Sequence, residues 1–210
     1  MDQKTIHDLK EVLLTRNLKN SKAVVYKVMR EKRKKGNLRY DITILYPVML
    51  GDEFPKTYGH YHQLEEPELY EILDGEAVFI FQKPEKNSSK IKEVYAVLAQ
   101  KGDKVIVPIG FGMTMINCSK KNLKVGNWIK DDVRNVYDDY RKYHGAAYYC
   151  LKGEDNSLRF VPNKNYKKLP LLEFLLPKPI PKSLKNLKFL TDYKKYKKEL
   201  TIKKLYSKLE

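Results

Sequence analysis

The chain has 210 residues, with 42 Lys and Arg against 26 Asp and Glu, a formal net charge of +16 at pH 7 and two cysteines. This length supports one domain with extensions, and two cysteines without a C-x-x-C spacing argue against a disulfide framework. The positive charge attracts anions such as sugar phosphates, nucleic acid or an anionic membrane, but lysine is spread along the whole chain as on an ordinary solvated surface, so charge alone identifies no partner.

The N-terminal residues 1–20 predict a short amphipathic helix that precedes the main domain. Apolar residues recur there among polar ones at Ile6, Leu9, Val12, Leu13 and Leu14. Residues 1–4 lack the apolar run of a signal peptide, and no stretch approaches the roughly 18 apolar residues of a membrane-spanning helix. We therefore expect a cytoplasmic protein without a membrane partner.

Residues 21–160 predict a single β-domain. Short apolar or alternating segments are separated by Gly, Pro and Asn-Ser turns, which is typical of an all-β sandwich or barrel. The predicted strands lie at about 23–30, 38–48, 58–62, 68–73, 76–82, 91–99, 104–107, 112–117, 123–130 and 146–151.

Two of the four histidines lie close to a carboxylate within this domain. His60 and His62 would share one face of a strand because alternate strand residues point the same way. After the turn at residues 65–67, a second predicted strand can place Glu68 beside both imidazoles. Asp74-Gly75 is a hairpin signal, which predicts an antiparallel meander around these residues. Two imidazoles and one carboxylate suit a divalent transition metal.

The C-terminal residues differ from the β-domain in composition. Five prolines interrupt residues 161–190, which predicts a segment that wraps around the barrel. Residues 191–210 combine many lysines with apolar residues at helical spacing, which predicts a basic amphipathic helix. Such a helix could meet a membrane surface or nucleic acid, but packing on its own barrel or on a dimer partner is favoured, and no RNA-binding motif accompanies it.

Two spacings resemble the conserved motifs of the cupin superfamily. His60-x-His62, five residues, Glu68, six residues and Gly75 are similar to the first motif. A later stretch is similar to the second motif, except that Met113 stands where that motif has a histidine: Gly102, Pro108, Gly110, Met113 and Asn117. The resemblance implies an all-β cupin fold, a double-stranded β-helix or jelly-roll barrel, here with short N-terminal and C-terminal helical extensions.

Within the cupins, the chain resembles the archaeal-type glucose-6-phosphate isomerases. The similar stretches are residues 24–26, Thr43-Ile44-Leu45-Tyr46-Pro47, Thr57-Tyr58-Gly59-His60-Tyr61-His62 and Glu68-Leu69-Tyr70. This resemblance implies a phosphorylated-sugar substrate, a homodimer, metal ligands His60, His62 and Glu68, and a catalytic role for Glu68. It also implies substrate-binding residues: Thr43, Thr57 and the backbone near Gly59 for the phosphate, Tyr26 and Tyr70 shaping the pocket, and Tyr137 or Tyr140 as a late aromatic residue.

The implied reaction interconverts glucose 6-phosphate and fructose 6-phosphate through an enediol, or by a hydride shift. A divalent ion such as iron(II), manganese(II), nickel(II) or zinc(II) would polarise the substrate oxygens, and Glu68 could move the proton or act as a ligand. Met113 offers only a soft thioether, so three ligands would remain. His144 could return to the site but is more simply a loop residue. A late family histidine is also absent, with Asn135 or Asp138 nearest its position.

Three functions therefore remain open from the sequence. The first is the metal-dependent sugar-phosphate isomerase. The second is a non-catalytic cupin that binds a sugar phosphate or a metal and has lost turnover together with the histidine at position 113. The third is a non-haem iron oxygenase that uses the three-ligand set.

Overall fold

The computed structural model describes residues 2–155 and 157–209, which are built mainly from β-strands. The strands over these residues are β1 (Asp2–Thr5), β2 (Val24–Lys35), β3 (Leu38–Leu45), β4 (Tyr61–His62), β5 (Glu68–Asp74), β6 (Glu76–Pro84), β7 (Ile91–Gln100), β8 (Lys104–Val107), β9 (Gly112–Asn117), β10 (Leu123–Lys130), β11 (Asn135–Val136), β12 (Tyr148–Lys152), β13 (Leu158–Pro162), β14 (Glu173–Pro177) and β15 (Tyr206–Lys208). The α-helices are α1 (Ile6–Leu9), α2 (Asp138–Lys142) and α3 (Ile202–Leu205), and 3-10 turns lie at Lys10–Val12, Lys182–Leu184, Lys188–Leu190 and Tyr193–Tyr196. The predicted all-β class is confirmed.

Two large sheets contain most of these strands. The six-stranded sheet has the order β1-β2-β3-β10-β5-β8, and the five-stranded sheet has the order β15-β14-β7-β6-β9. All neighbours pair antiparallel except β14, which lies parallel to β7. From β5 to β10 the chain passes repeatedly from one sheet to the other, which is the double-sheet jelly roll of the cupin fold.

The turn at Asp74-Gly75 is a corner between the two sheets, so the prediction of a hairpin and a meander at this point is wrong. β5 pairs with β10 and β8, whereas β6 pairs with β7 and β9. Only Gly75 separates the two strands, and a tight hairpin needs two loop residues. Gly75 has φ +88°, so its lack of a Cβ allows the chain to turn there.

The N-terminal residues form a strand before they form a helix. Asp2–Thr5 pairs antiparallel with β2, and α1 covers only Ile6–Leu9. Thr5 caps the helix through reciprocal hydrogen bonds with Asp8, which fixes the helix start at Ile6 and leaves the preceding residues extended. The predicted helix over residues 1–20 is therefore much shorter in the structure, and the strand before it extends the six-stranded sheet.

The C-terminal residues also differ from the predicted pattern. β14 lies in the proline-rich segment and joins the five-stranded sheet, while residues 191–209 form a 3-10 turn, the one-turn helix α3 and then β15. The Tyr206 side chain is buried, and its hydroxyl donates a hydrogen bond of 2.6 Å to the Ile106 carbonyl oxygen. Burial of this ring and pairing with β14 outweigh the helical periodicity, which is a weak preference by comparison.

The core lies between the two sheets and is rich in aromatic residues. Phe79 and Phe81 are fully buried on β6, and Phe79 packs against Tyr70 of β5 with ring centroids 5.4 Å apart. β9 is buried along its whole length, and its polar Asn117 donates hydrogen bonds to the Leu45 and Lys121 carbonyl oxygens. Within residues 2–155 and 157–209, no helix is both long and apolar enough to cross a bilayer.

Candidate metal centre

His60, His62 and Glu68 converge at one point on the inner side of the six-stranded sheet. The Nε2 atoms of both histidines lie 3.5 Å from Glu68 Oε2, and the three potential ligand atoms lie within 4.8 Å of one another. The two imidazole rings are 5.1 Å apart between centroids. The residues that the sequence placed in one motif are therefore neighbours in space.

Backbone pairing positions the two histidines. His60 forms a bridge with Met113 of β9 through two backbone hydrogen bonds of 3.0 and 2.9 Å. His62 lies on β4 opposite Asn135 of β11, and its Nδ1 lies 2.6 Å from the Glu66 carbonyl oxygen. Because a carbonyl can only accept, Nδ1 carries the proton and the lone pair of His62 Nε2 faces Glu68, as in histidines that bind metals.

Two neutral groups orient the Glu68 carboxylate. Tyr70 donates its hydroxyl to Oε2 at 2.8 Å, and Asn127 of β10 donates its amide to Oε1 at 2.9 Å. Burial alone would raise the pKa of Glu68, but the charge of His62 and His60 when protonated and the hydrogen bond from Tyr70 outweigh it and hold this pKa at about 2. Glu68 is therefore an ionised carboxylate at neutral pH.

The unsatisfied nitrogens of this cluster fit a divalent cation. Both Nε2 atoms are buried and have no hydrogen-bond partner among the described residues. Burial lowers the pKa of His62 despite the opposing charge of Glu68, so the imidazole is neutral near pH 7 and can donate a lone pair. Buried polar atoms normally have partners, and a metal ion would supply the missing one. The residues present are thus a possible metal site.

Met113 lies beside this cluster and not at a distance from it. It is buried on β9 opposite His60, and its sulphur lies 3.8 Å from the Tyr70 hydroxyl. A thioether is a weak, soft ligand for the harder divalent ions. The structure therefore offers three strong donor groups at this point, with an apolar side chain beside them.

A cavity of about 550 Å³ opens above the cluster. His60, Glu68, Met113 and all six predicted substrate-binding residues line it: Tyr26, Thr43, Thr57, Gly59, Tyr70 and Tyr137. Asn135 lines it as well, whereas His62, Asp138, Tyr140 and His144 are not part of the lining. His144 instead places Nδ1 3.1 Å from the Glu11 carbonyl oxygen, in the loop after α2.

Several residues of the cavity were not singled out by the sequence analysis. Asn127 interrupts the apolar pattern of β10, and a polar residue that strands disfavour could have marked it. Arg30 follows Tyr26 and Val28 on β2 and also lines the cavity, but it lies at a β-bulge between Met29 and Arg33, which simple strand alternation does not predict. Lys4 also lines the cavity, because β1 pairs with β2 there. That pairing joins distant parts of the chain, and no local pattern indicates it.

Gly59 is required by the close approach of Tyr140. It has φ +85°, and a Cβ at this position would lie 2.4 Å from Tyr140 Cε1. We expect Gly59→Ala to lower the free energy of unfolding by about 2 kcal/mol more than Gly36→Ala, because Gly36 has a similar positive φ but open space around it. Urea denaturation of both variants measures this difference, and equal destabilisation would contradict the crowding by Tyr140.

Comparisons with known proteins agree with the motifs. The family model described as glucose-6-phosphate isomerase (GPI) matches residues 3–167. A glucose-6-phosphate isomerase of Thermococcus litoralis is 34% identical over 101 residues, which cover 47% of this chain and 50% of that protein. One of Pyrococcus furiosus is 38% identical over 71 residues, which cover 32% of this chain and 38% of that protein. The matched stretches thus span about half or less of these curated relatives.

Among solved structures, a cupin superfamily protein from Desulfitobacterium hafniense has a TM-score of 0.35 at 16% identity, covering 51% of this chain and 78% of that one. A recombinant oxalate oxidase in complex with glycolate has a TM-score of 0.42 at 13% identity, covering 54% and 55%. The family match is much more extensive, since it includes both motifs and every residue of the metal cluster. This chain belongs to the glucose-6-phosphate isomerase family.

Proposed function

We propose that this protein is a metal-dependent sugar-phosphate isomerase that interconverts glucose 6-phosphate and fructose 6-phosphate. One observation carries the proposal: His60, His62 and Glu68 converge at a cavity of about 550 Å³ in a chain that belongs to this family. The cavity has the size of an ordinary small-molecule site and combines polar with apolar walls. Its volume and its donor groups suit a phosphorylated sugar.

Nε2 of His60, Nε2 of His62 and Oε2 of Glu68 would hold the metal ion. Iron(II), manganese(II), nickel(II) and zinc(II) all accept this ligand set. The bound ion would polarise the carbonyl and hydroxyl oxygens at C1 and C2 of the sugar. Hydrogen bonds from Asn127 and Tyr70 keep the Glu68 carboxylate in a single orientation. A carboxylate without these bonds would be free to change rotamer.

Glu68 is also the residue that we propose to move the proton between C1 and C2. Oε2 accepts the hydrogen bond from Tyr70 and would hold the metal, whereas Oε1 accepts one hydrogen bond from Asn127 and keeps a lone pair that could take the proton. The Tyr70 hydroxyl donates a hydrogen bond that stabilises the Glu68 carboxylate when Glu68 is ionised. When Glu68 is protonated, the hydroxyl can change its hydrogen bonding to match. Burial of Glu68 keeps bulk water from exchanging with the transferred proton.

The remaining substrate contacts would come from the walls of the cavity. The Thr57 hydroxyl oxygen accepts a hydrogen bond of 3.0 Å from the Met115 amide, which fixes its position on the wall. Tyr137 also lines the cavity, where its ring packs edge-on against Tyr58 with centroids 5.5 Å apart. We propose that Thr43, Thr57 and the backbone at Gly59 contact the phosphate group, with Tyr26, Tyr70 and Tyr137 enclosing the substrate.

A second function is supported by one specific feature. Met113 provides no strong ligand at the position where the cupin motif has a histidine, so the chain could bind a sugar phosphate or a metal without turning the substrate over. Such a binding protein would keep the same cavity and the same three donors. Turnover is therefore the quantity that separates the two functions.

The experiment is isomerisation of fructose 6-phosphate by metal-stripped protein that is then supplied in turn with iron(II), manganese(II), nickel(II) and zinc(II). Turnover restored by at least one metal, and lost again on chelation, is the expected result. No turnover with any of the four, in protein that binds metal by direct analysis, would contradict the isomerase and favour the binding protein.

A further inference from the structure

We propose that Arg30 binds the phosphate group of the substrate, and that Asp2 competes with this phosphate for the same guanidinium. This inference rests on the proposed function, because it names the charge that would recognise a phosphorylated ligand in the same cavity. Neither residue belongs to the motifs that identify the family.

Arg30 faces the cavity from the strand next to the N-terminal one. Tyr26 and Val28 alternate along β2, Arg30 follows at the β-bulge between Met29 and Arg33, and all three line the cavity. Its backbone is separated from that of Tyr70 on β5 by β3 and β10, a spacing of roughly 14 Å at the usual distance between strands. An extended hexose phosphate can therefore present C1 and C2 to the metal cluster while its phosphate approaches Arg30.

A buried carboxylate holds the Arg30 guanidinium, and this carboxylate also has other hydrogen-bond donors. Arg30 Nη1 donates to Asp41 Oδ2 at 2.9 Å, and Asp41 is only 1% exposed. Asp41 also accepts hydrogen bonds of 3.1 Å from Arg39 Nε and 2.9 Å from the Glu31 amide. Asp41 thus has another cation and a backbone donor, and its contact with Arg30 fixes the guanidinium at the cavity wall.

The rest of the guanidinium is available to a ligand. Nε pairs with Asp2 at 3.3 Å, and among residues 2–155 and 157–209 no group accepts a hydrogen bond from Nη2. The side chains of Arg30 and Asp2 are 46% and 61% exposed, so the pair between them is weak. A phosphate offers several acceptor oxygens and more charge than a carboxylate, and Arg binds it in a bidentate manner.

Asp2 is placed at the cavity by the pairing of β1 with β2. Asp2 lies opposite Val28, and Lys4 lies opposite Tyr26, so both residues reach the cavity from the edge of the sheet. The Asp2 carboxylate therefore occupies the anion position on Arg30 when no ligand is bound, and Lys4 adds a second positive charge nearby. A phosphorylated ligand must displace Asp2 to reach Arg30, whereas an uncharged sugar need not.

Binding of sorbitol 6-phosphate, which has no carbonyl group to isomerise, tests the proposal without turnover. Isothermal titration of the full-length protein compares this ligand with sorbitol. Arg30→Ala should weaken sorbitol 6-phosphate binding by about tenfold to hundredfold, as expected for lost charge-assisted hydrogen bonds, and should leave the affinity for sorbitol unchanged. Arg30→Lys should give an intermediate loss because it keeps the charge without the planar fork.

Arg39→Ala is the matched control. Arg39 donates to the same carboxylate of Asp41 but does not line the cavity, so its removal should leave the affinity for sorbitol 6-phosphate unchanged. Asp2→Asn should increase the affinity for sorbitol 6-phosphate by about two- to fivefold, because it removes the carboxylate that competes for Arg30. The increase is small because an exposed ion pair such as Asp2–Arg30 contributes little free energy. Thermal denaturation of each variant verifies folding.

Three results would overturn the proposal: wild-type protein that does not bind sorbitol 6-phosphate, Arg30→Ala and Arg30→Lys that both bind it like the wild type, or equal losses for Arg30→Ala and Arg39→Ala. A failure of the isomerase is distinguishable from these results. In that case fructose 6-phosphate is not turned over with any metal, yet the phosphorylated polyol still binds in a manner that depends on Arg30.

Discussion

His60→Ala is expected to abolish metal binding and to lower isomerase turnover by about a thousandfold or more. Polarisation of the substrate oxygens by a metal ion is worth several kcal/mol, and each 1.36 kcal/mol is tenfold in rate. Removal of one of three donors leaves His62 and Glu68, which cannot enclose a divalent ion. Metal analysis after dialysis and the rate of fructose 6-phosphate isomerisation measure the two effects.

His144→Ala is the control for this change. His144 lies in the loop after α2 and contacts Glu11, so it should keep both the metal and the turnover of the wild type. Glu68→Gln adds a further comparison, because it keeps the shape of the side chain but removes its charge. Full metal content and full activity in His60→Ala would exclude the three-residue cluster as the metal centre.

Met113→His is expected to tighten metal binding by about hundredfold or more. Met113 lies directly opposite His60 and next to Tyr70, so an imidazole at this position points towards the same cluster. Groups that only support a metal ligand are worth about 10–100-fold in affinity, and a direct nitrogen ligand should be worth at least as much. Competition with a chelator of known affinity measures the change.

Met115→His is the matched control for Met113→His. Met115 lies two residues further along the same strand, is also buried and also lines the cavity, but it pairs with Thr57 instead of His60. A histidine there should not tighten metal binding. If both variants tighten it equally, or neither does, position 113 is not the fourth ligand position of this site.

Much of the fold could be predicted because it follows from local patterns. Strands such as β8 (Lys104–Val107) and β9 (Gly112–Asn117) coincide with their predicted bounds, since turn residues delimit short apolar runs on both sides. Two motifs at family spacing then indicated how these strands are arranged. By contrast, β14 and β15 were absent from the predicted strands, because their prolines and lysines disfavour strands and these two form only by pairing with strands distant in the chain. β13 was also absent, although it pairs with the preceding strand β12.

The candidate metal cluster could be predicted for a related reason. His60 and His62 alternate on one short segment, and Glu68 follows after a single turn, so few chain arrangements can separate them. The corner at Gly75 could not be interpreted in the same way. Asp-Gly is a signal for a turn, but whether the strands on either side pair with each other depends on which other strands compete for their edges.

The sequence by itself therefore determined the fold class, the bounds of strands such as β8, β9 and β10, and the three residues of the candidate metal cluster, since each of these depends on contacts within about ten residues or on motif spacing. Only the tertiary structure decided that Asn127 supports Glu68 and that Asp2 meets Arg30. Those contacts join residues 59 and 28 positions apart. They exist because β10 pairs with β5 and β1 pairs with β2, and such pairing is set by the register of whole strands, not by any local pattern.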